Sequence, residues 1–319
     1  MNFDFSKIKN KKILTVTLNP AIDKQWRLNN LSIGEVNRVL KVNNTAGGKG
    51  LNEARVLHQL KLDVTATGII AGGNGTFLKS ALDQEGIKHH FYELKNGETR
   101  ICVNACGSSE GITEILEPGP TISKQDANKF LIFFKKLIRK FHLISFAGSL
   151  PKGLESNFYS KLIKICHEQK TIVFLDTSGE ALIKNLNAKP AFVKPNVDEI
   201  RQLLKQETFT KQQAIVFAKK YVEKGIKNFV VSLGGDGALL IVKDAVYHAI
   251  PPKHRVVNTV GCGDTLVAGF IAAELLNVKP SQKILIATAL ATNASTTEKT
   301  AELNLKTLVN SWPKLSSNF

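Results

Sequence analysis

The chain has 319 residues, 43% of them hydrophobic, and a formal charge of +16. That composition fits an ordinary globular core and gives no sign of disorder, and although the length could hold two domains, open α/β sheets of this size often form one large unit, so the chain is read as a single domain over residues 1–319. The positive balance raises nucleic acid and anionic membrane as partners, yet the lysines are scattered among Asp and Glu and no basic run is interleaved with aromatics, so neither is expected and anionic substrates suit the charge better.

In chain order, β-branched runs predict a buried strand at 13–18, and polar/apolar alternation predicts strands at 24–28 and 39–43. Helical periodicity follows at 52–60, a buried strand at 64–70, and a helix at 75–85. Alternating strands recur at 89–94, 100–105 and 112–116, ahead of a helix at 124–140. Strands at 143–146, 172–176, 191–194 and 229–233 are then interleaved with helices at 156–169, 199–205 and 211–224. The end of the chain reads as hairpin strands at 238–242 and 246–250, then helices at 265–276 and 283–296. Strand and helix in alternation imply βαβ units, a mostly parallel sheet, and ligands at the carboxyl ends of the strands. The alternating strands, drawn from about 24–43 and 88–117, fit a smaller sheet with one solvated face, a lid that would keep water from a phosphoryl donor. Its open edges and apolar face would be covered by a second copy, so a homodimer joined through the lid is expected.

Chemistry concentrates in two glycine turns. Gly261-Cys262-Gly263-Asp264 precedes an apolar helix, so backbone N–H groups and the positive helix end can hold a multiply charged anion. Gly47-Gly48-Lys49-Gly50 opens another helix far upstream. A carboxylate beside an anion-binding turn is what phosphoryl transfer to a hydroxyl requires, because a base takes the alcohol proton while fixed dipoles hold the migrating charge. No G-x-x-x-x-G-K-[ST] occurs and neither Gly261-Cys262-Gly263 nor Gly72-Gly73-Asn74-Gly75 completes G-x-G-x-x-G, which argues against a P-loop or a dinucleotide site. Four cysteines are too few for a disulfide framework, and Cys102 and Cys106 lack a second Cys/His pair at zinc spacing. No apolar run approaches the roughly 18 residues of a bilayer span and residues 1–12 lack the apolar stretch of a signal peptide, so a cytosolic protein is expected.

Through Ala46-Gly47-Gly48-Lys49-Gly50-Leu51-Asn52 and Asn258-Thr259-Val260-Gly261-Cys262-Gly263-Asp264, the sequence resembles the ribokinase/phosphofructokinase B superfamily over nearly its whole length. The resemblance implies a ribokinase-like three-layer α/β/α fold with a small β-sheet lid, ATP as donor with Mg²⁺, and Asp264 as the base. The amides of Gly261, Cys262 and Gly263 would hold the developing charge. Cys262 stands where the family usually has Ala or Ser, and its thiol is expected to be open to oxidation or alkylation. By the same resemblance Asp23, Gly47, Gly48 and Asn52 would hold the sugar, and Lys49 and Arg100 the phosphate that the substrate already carries. Lys194, Asn196, Ser232, Gly234 and Gly237 would line the ATP site, Asn293 would approach the adenine, and Glu199 would position Mg²⁺ through water. Plainer readings stand beside these: Asp23 as a turn cap, Arg100 as surface charge, and Asn196 with Glu199 as a helix capping box.

Thr17-Leu18-Asn19-Pro20-Ala21-Ile22-Asp23 resembles the branch that phosphorylates sugar phosphates. Within it, Cys102, Thr113-Glu114-Ile115-Leu116-Glu117 and Ile87-Lys88-His89-His90-Phe91-Tyr92 are similar to tagatose-6-phosphate kinases. 1-Phosphofructokinases, the alternative, usually carry Lys where this chain has Asn104. A phosphosugar-binding regulator is the non-enzyme alternative. It would keep Lys49 and Arg100 but could discard Asp264, which is present.

Overall fold

A computed structural model describes residues 4–107 and 112–316. The first half of the chain forms β1 (Ile13–Thr17), β2 (Ala21–Arg27), β3 (Lys41–Gly47), α1 (Lys49–Gln59), β4 (Val64–Ala71), α2 (Gly72–Gln84), β5 (Lys88–His89), β6 (Tyr92–Leu94), β7 (Arg100–Cys106), β8 (Ile112–Leu116), α3 (Lys124–Leu137) and β9 (Leu143–Ala147). The second half forms α4 (Phe158–Glu168), β10 (Ile172–Asp176), α5 (Gly179–Asn185), β11 (Phe192–Val193), α6 (Val197–Leu204), α7 (Lys211–Glu223), β12 (Asn228–Ser232), β13 (Ala238–Val242), β14 (Ala245–Ile250), α8 (Cys262–Leu275), α9 (Pro280–Ala294) and β15 (Lys314–Ser316).

The large sheet runs β15-β14-β13-β12-β11-β10-β9-β1-β4-β5, with β6 also beside β4. Pairings from β12 to β5 are parallel, and β13, β14 and β15 add an antiparallel edge. Parallel neighbours need crossover helices, and those helices divide between the two faces. Leu51 of α1, Leu78 of α2, Phe270 of α8 and Leu290 of α9 lie in one core. Phe130 of α3, Leu162 of α4, Leu182 of α5, Ile200 of α6 and Ala214 of α7 lie in the other. The result is the expected three-layer α/β/α arrangement. Each fully enclosed aliphatic or aromatic side chain contributes about 1.5–3 kcal/mol. Phe270 reaches down from α8 to tilt against Phe192 of β11, ring centres 4.8 Å apart.

Side-chain alternation along β1 decides what lies beneath the site. Leu14 and Val16 enter the second core, so Thr15 and Thr17 face α1. That face carries hydroxyls where it approaches the strand ends.

The small sheet has the order β3-β2-β7-β8. Residues 41–45 of β3 and 113–116 of β8 are exposed at successive positions, so both faces of these strands meet solvent within one chain. The stretch 89–94, expected in this sheet, belongs to the large one: β5 and β6 pair with β4 through Thr65 with Lys88 and Ile69 with Tyr92. Alternation identifies a strand with one buried face but not its partner. Here Tyr92 packs its ring against Phe130 and Phe133 of α3, which fixes the choice. No helix among the described residues is long and apolar enough to cross a membrane.

Candidate active site

The two glycine turns meet at the carboxyl edge of the large sheet. Gly48, at φ 118°, caps α1, and Gly261, at φ 81°, caps α8. At Gly261 a Cβ would fall 2.8 Å from Thr300 Cγ2 and 3.2 Å from the Ala301 nitrogen, so conformation and space both demand glycine. Asp264 lies in the first turn of α8, only 7% exposed. Its Oδ2 accepts a hydrogen bond of 2.7 Å from Asn52 Nδ2 of α1, a residue 212 positions away. Burial holds the Asp264 carboxyl above the usual carboxylate range; Asp176 adds to the effect, while Lys49, the Asn52 bond and Lys194 oppose it. A buried carboxyl with raised proton affinity is suited to taking a hydroxyl proton.

Asp176 ends β10 and lies beneath this point, fully enclosed. Lys49 Nζ stands 3.1 Å from its Oδ2 and Lys194 Nζ 3.3 Å from its Oδ1. Burial opposes its charge, but the Lys194 and Lys49 ammoniums hold the carboxyl below its ordinary range. Lys49, likewise penalised by burial, is held above the usual lysine range by Asp176, Asp264 and Glu199. Lys49, expected at the substrate's phosphate, thus pairs with Asp176 in this structure. Lys194 Nζ also lies 3.6 Å from where a Cβ on Gly263 would sit, which puts a buried cation beside the glycine turn that opens α8. Of the turn's amides, that of Cys262 donates to the Thr259 carbonyl at 3.2 Å. The amides of Gly261 and Gly263 make no such bond among the described residues and stay open at the helix start.

On the opposite side, Asp23 of β2 lies against Gly47, where any Cβ would collide with its carboxylate. Burial raises the Asp23 pKa to about 6, Arg100 and Arg55 oppose, and Asp264 adds to the rise, so these groups share one electrostatic neighbourhood. Arg100 on β7 donates from Nε to the Asn19 carbonyl at 3.1 Å and from Nη1 to the Glu117 carbonyl at 3.2 Å. A cleft of about 1510 Å³ opens between the small sheet, α1 and the segments 257–260 and 298–302, with Asp23, Asn43 and Asn104 in its wall.

The nucleotide-side residues divide. Ser232, which ends β12, forms a parallel bridge with Asn196, and Gly234 and Gly237, both at positive φ, make the turn into β13. Asn196 and Glu199 form the capping box that their spacing allowed: the Glu199 amide donates to Asn196 Oδ1 and the Asn196 amide to Glu199 Oε2, each at 2.8 Å. Glu199 is nonetheless buried, and desolvation raises its carboxyl against the pull of Lys49. Asn293, expected near the adenine, is fully enclosed. Its NH₂ donates to the Asn304 carbonyl, Thr307 and Ser311, and its Oδ1 accepts from the Asn304 amide, so the residue ties the C-terminal segment to α9 and is not placed to meet a base. Cys262 also departs from expectation: burial, with Asp264 adding, raises its thiol to about 11, which disfavours the reactive thiolate.

Sequence reading passed over Asp176 and Glu53. Glu53 on α1 is 0% exposed. Its carboxyl lies beside the Ser145 hydroxyl, whose hydrogen bonding opposes the rise in its pKa, while the buried hydroxyls of Thr15 and Thr17 have no hydrogen-bond partner among the described residues. Burial holds Glu53 well above the usual range and favours the neutral acid.

A buried carboxylate, two converging helix starts and two lysines suit phosphoryl transfer to an alcohol. Residues 16–307 match the pfkB family carbohydrate kinase profile. A Staphylococcus aureus protein described as a candidate phosphofructokinase is 31% identical, with 96% of this chain and 98% of that one aligned and a TM-score of 0.80. A Thermotoga maritima candidate 1-phosphofructokinase is 24% identical over 97% of this chain and 100% of its own, with a TM-score of 0.87. Ribokinase from the same organism is 20% identical over 91% of this chain and 94% of its own, with a TM-score of 0.71, and shares the fold. The molecule is therefore a ribokinase-like α/β kinase. The chain belongs to the pfkB family of carbohydrate kinases and is an ATP-dependent sugar kinase.

Proposed function

We propose that the protein transfers the γ-phosphoryl group of ATP to the C1 hydroxyl of D-tagatose 6-phosphate, giving the 1,6-bisphosphate. The observation that carries this reading is the placement of charge along β7. Arg100 stands beside Ala21, near Asp23, whereas position 104, in register with Gln25 and in the cleft wall, is Asn. A guanidinium at the near end suits a 6-phosphate, and Asn104 supplies no cation for a phosphate at the other end. Replacing Arg100 by Ala should raise the KM for the sugar phosphate about 30-fold or more, equivalent to roughly 2–3 kcal/mol, and leave the KM for ATP within about twofold. Because Arg100 is the main charge opposing the rise of the Asp23 pKa to about 6, the pH below which sugar binding weakens should also move upward. Weakened ATP with intact sugar binding would reverse the assignment of the two pockets.

In the proposed mechanism Asp264 takes the hydroxyl proton. Asn52 occupies Oδ2 of that carboxylate, so Oδ1 is the oxygen for the substrate. The Gly261 and Gly263 amides, the start of α8 and the Lys194 ammonium hold the charge that develops on the migrating phosphoryl group. Lys194, Asn196, Ser232, Gly234 and Gly237 line the nucleotide side. No cluster of three metal-binding side chains occurs among the described residues. A lone buried Glu199, with one oxygen committed to its cap, fits an ion carried by phosphates and met through water. Mg²⁺ held there would neutralise the donor's phosphates.

Ile33, Val36, Leu40, Val42, Ile115 and Leu116 are exposed on or beside the small sheet, Ile33 at 99%. We assign this face to a homodimer contact. Light scattering at micromolar concentration should give twice the mass of one chain, and a single-chain mass would remove the dimer. Unpaired Cys102, Cys166 and Cys262 suit a reducing, cytosolic setting.

A further inference from the structure

Asn52 holds the Asp264 carboxylate, and Asn52 is itself held. Arg55 follows it by one helical turn on α1, and its Nη1 donates to Asn52 Oδ1 at 2.9 Å. Two further bonds run from Arg55 to Glu85, which closes α2: Nε to Oε2 at 2.6 Å and Nη2 to Oε1 at 2.9 Å. Nη2 also donates to the Ala46 carbonyl at 2.9 Å, at the end of β3 just before the glycine turn. The Arg55 and Glu85 side chains are 15% and 30% exposed, so the fork is half-buried in the wall of the cleft.

We propose that Arg55, clamped by Glu85, is a positioning residue that fixes the Asn52 amide with its NH₂ toward Asp264. A guanidinium only donates and a carboxylate only accepts, so an amide caught between them has a single satisfied orientation: oxygen to Arg55, nitrogen to Asp264. Without the clamp the amide can turn its oxygen toward the carboxylate, the stabilising bond is lost, and the base holds its proton more tightly. The inference rests on the reading of Asp264 as the base. The titratable groups that share the electrostatic neighbourhood of Asp264 are Lys49 and Glu53 of α1, Asp176 at the end of β10, Lys194 after β11, Asp23 of β2 and Cys262 of its own helix. Arg55 touches the amide and not the carboxylate.

The test is the acidic limb of the kcat profile at saturating sugar phosphate, which reports the base in the substrate complex and leaves aside Asp23, a sugar-binding carboxyl whose pKa Arg55 also holds down. In both Arg55→Met and Arg55→Lys the limb should move upward by about half to one pH unit and kcat should fall about tenfold, with the KM for ATP within about twofold. Lys keeps the charge but not the fork, so rescue by Lys would overturn the proposal. Glu85→Gln, which keeps one arm of the clamp, should shift the limb the same way by less. In an Asn52→Leu background, Arg55→Met should leave the limb where Asn52→Leu alone puts it. A limb unmoved in all the Arg55 and Glu85 variants, or additive effects of Asn52→Leu and Arg55→Met, would refute the relay even with Asp264 the base. An active Asp264→Asn enzyme would instead remove the reading beneath it.

Discussion

Asp264→Asn should lower kcat by about three orders of magnitude or more, with little change in either KM, because a base acts mainly in the transition state. The amide keeps an oxygen for the Asn52 bond of 2.7 Å and fills the same space, so the variant should fold. Its stability has a definite sign. The Asp264 carboxyl is held above its ordinary range, so its stabilising contribution is complete below about pH 4 and is lost as pH rises through the raised value. At neutral pH the Asn variant therefore loses no stability and should unfold at the same or a higher temperature. Loss of turnover with a retained or raised Tm is the signature of a residue kept for chemistry. Near-normal turnover would make Asp264 only a cap on α8.

Asp176→Asn should have the largest effect on folding, about 3–5 kcal/mol by chemical denaturation, because it leaves two ammoniums without their shared counter-charge. Lys194 is 3% exposed at its side chain and cannot recover its hydration. Here the linkage runs the other way. The Asp176 carboxyl is held below its ordinary value, so its contribution is present above about pH 4 and is lost as pH falls through the depressed value. Acidification below pH 4 should accordingly narrow the gap between wild type and variant. An unchanged denaturation midpoint at neutral pH would show that the lysines find other partners.

The features readable in the sequence were those written locally. Two glycines bracketing Cys262, an Asp immediately after, and an apolar run behind contain the whole helix-opening turn proposed to hold phosphate, and the structure caps α8 at Gly261. The parallel sheet was equally legible, because each buried strand and crossover helix declares its own period. What was hidden depends on contacts distant in sequence. Asp176 is a single acid at a strand end, and only the arrival of Lys49 and Lys194 makes it the centre of a charge cluster. Glu53 follows Asn52 on a helix and reads as an ordinary polar position until β1 and β9 cover it. Asn293 sits in a helical pattern that cannot reveal the C-terminal segment bonded across it. For Asn196 and Glu199 the spacing served two readings, and the capping box is the one whose hydrogen bonds the structure contains.

The proposed preference for a ketohexose 6-phosphate is tested most directly by kcat/KM for tagatose 6-phosphate, fructose 6-phosphate and fructose 1-phosphate in one ADP-release assay with Mg-ATP. Tagatose 6-phosphate should lead. Fructose 6-phosphate, which differs in the configuration of one hydroxyl, should follow by a factor that a single mispaired hydrogen bond explains, on the order of 10–100-fold. Fructose 1-phosphate, whose phosphate would meet Asn104, should come last, and a clear preference for it would contradict the assignment.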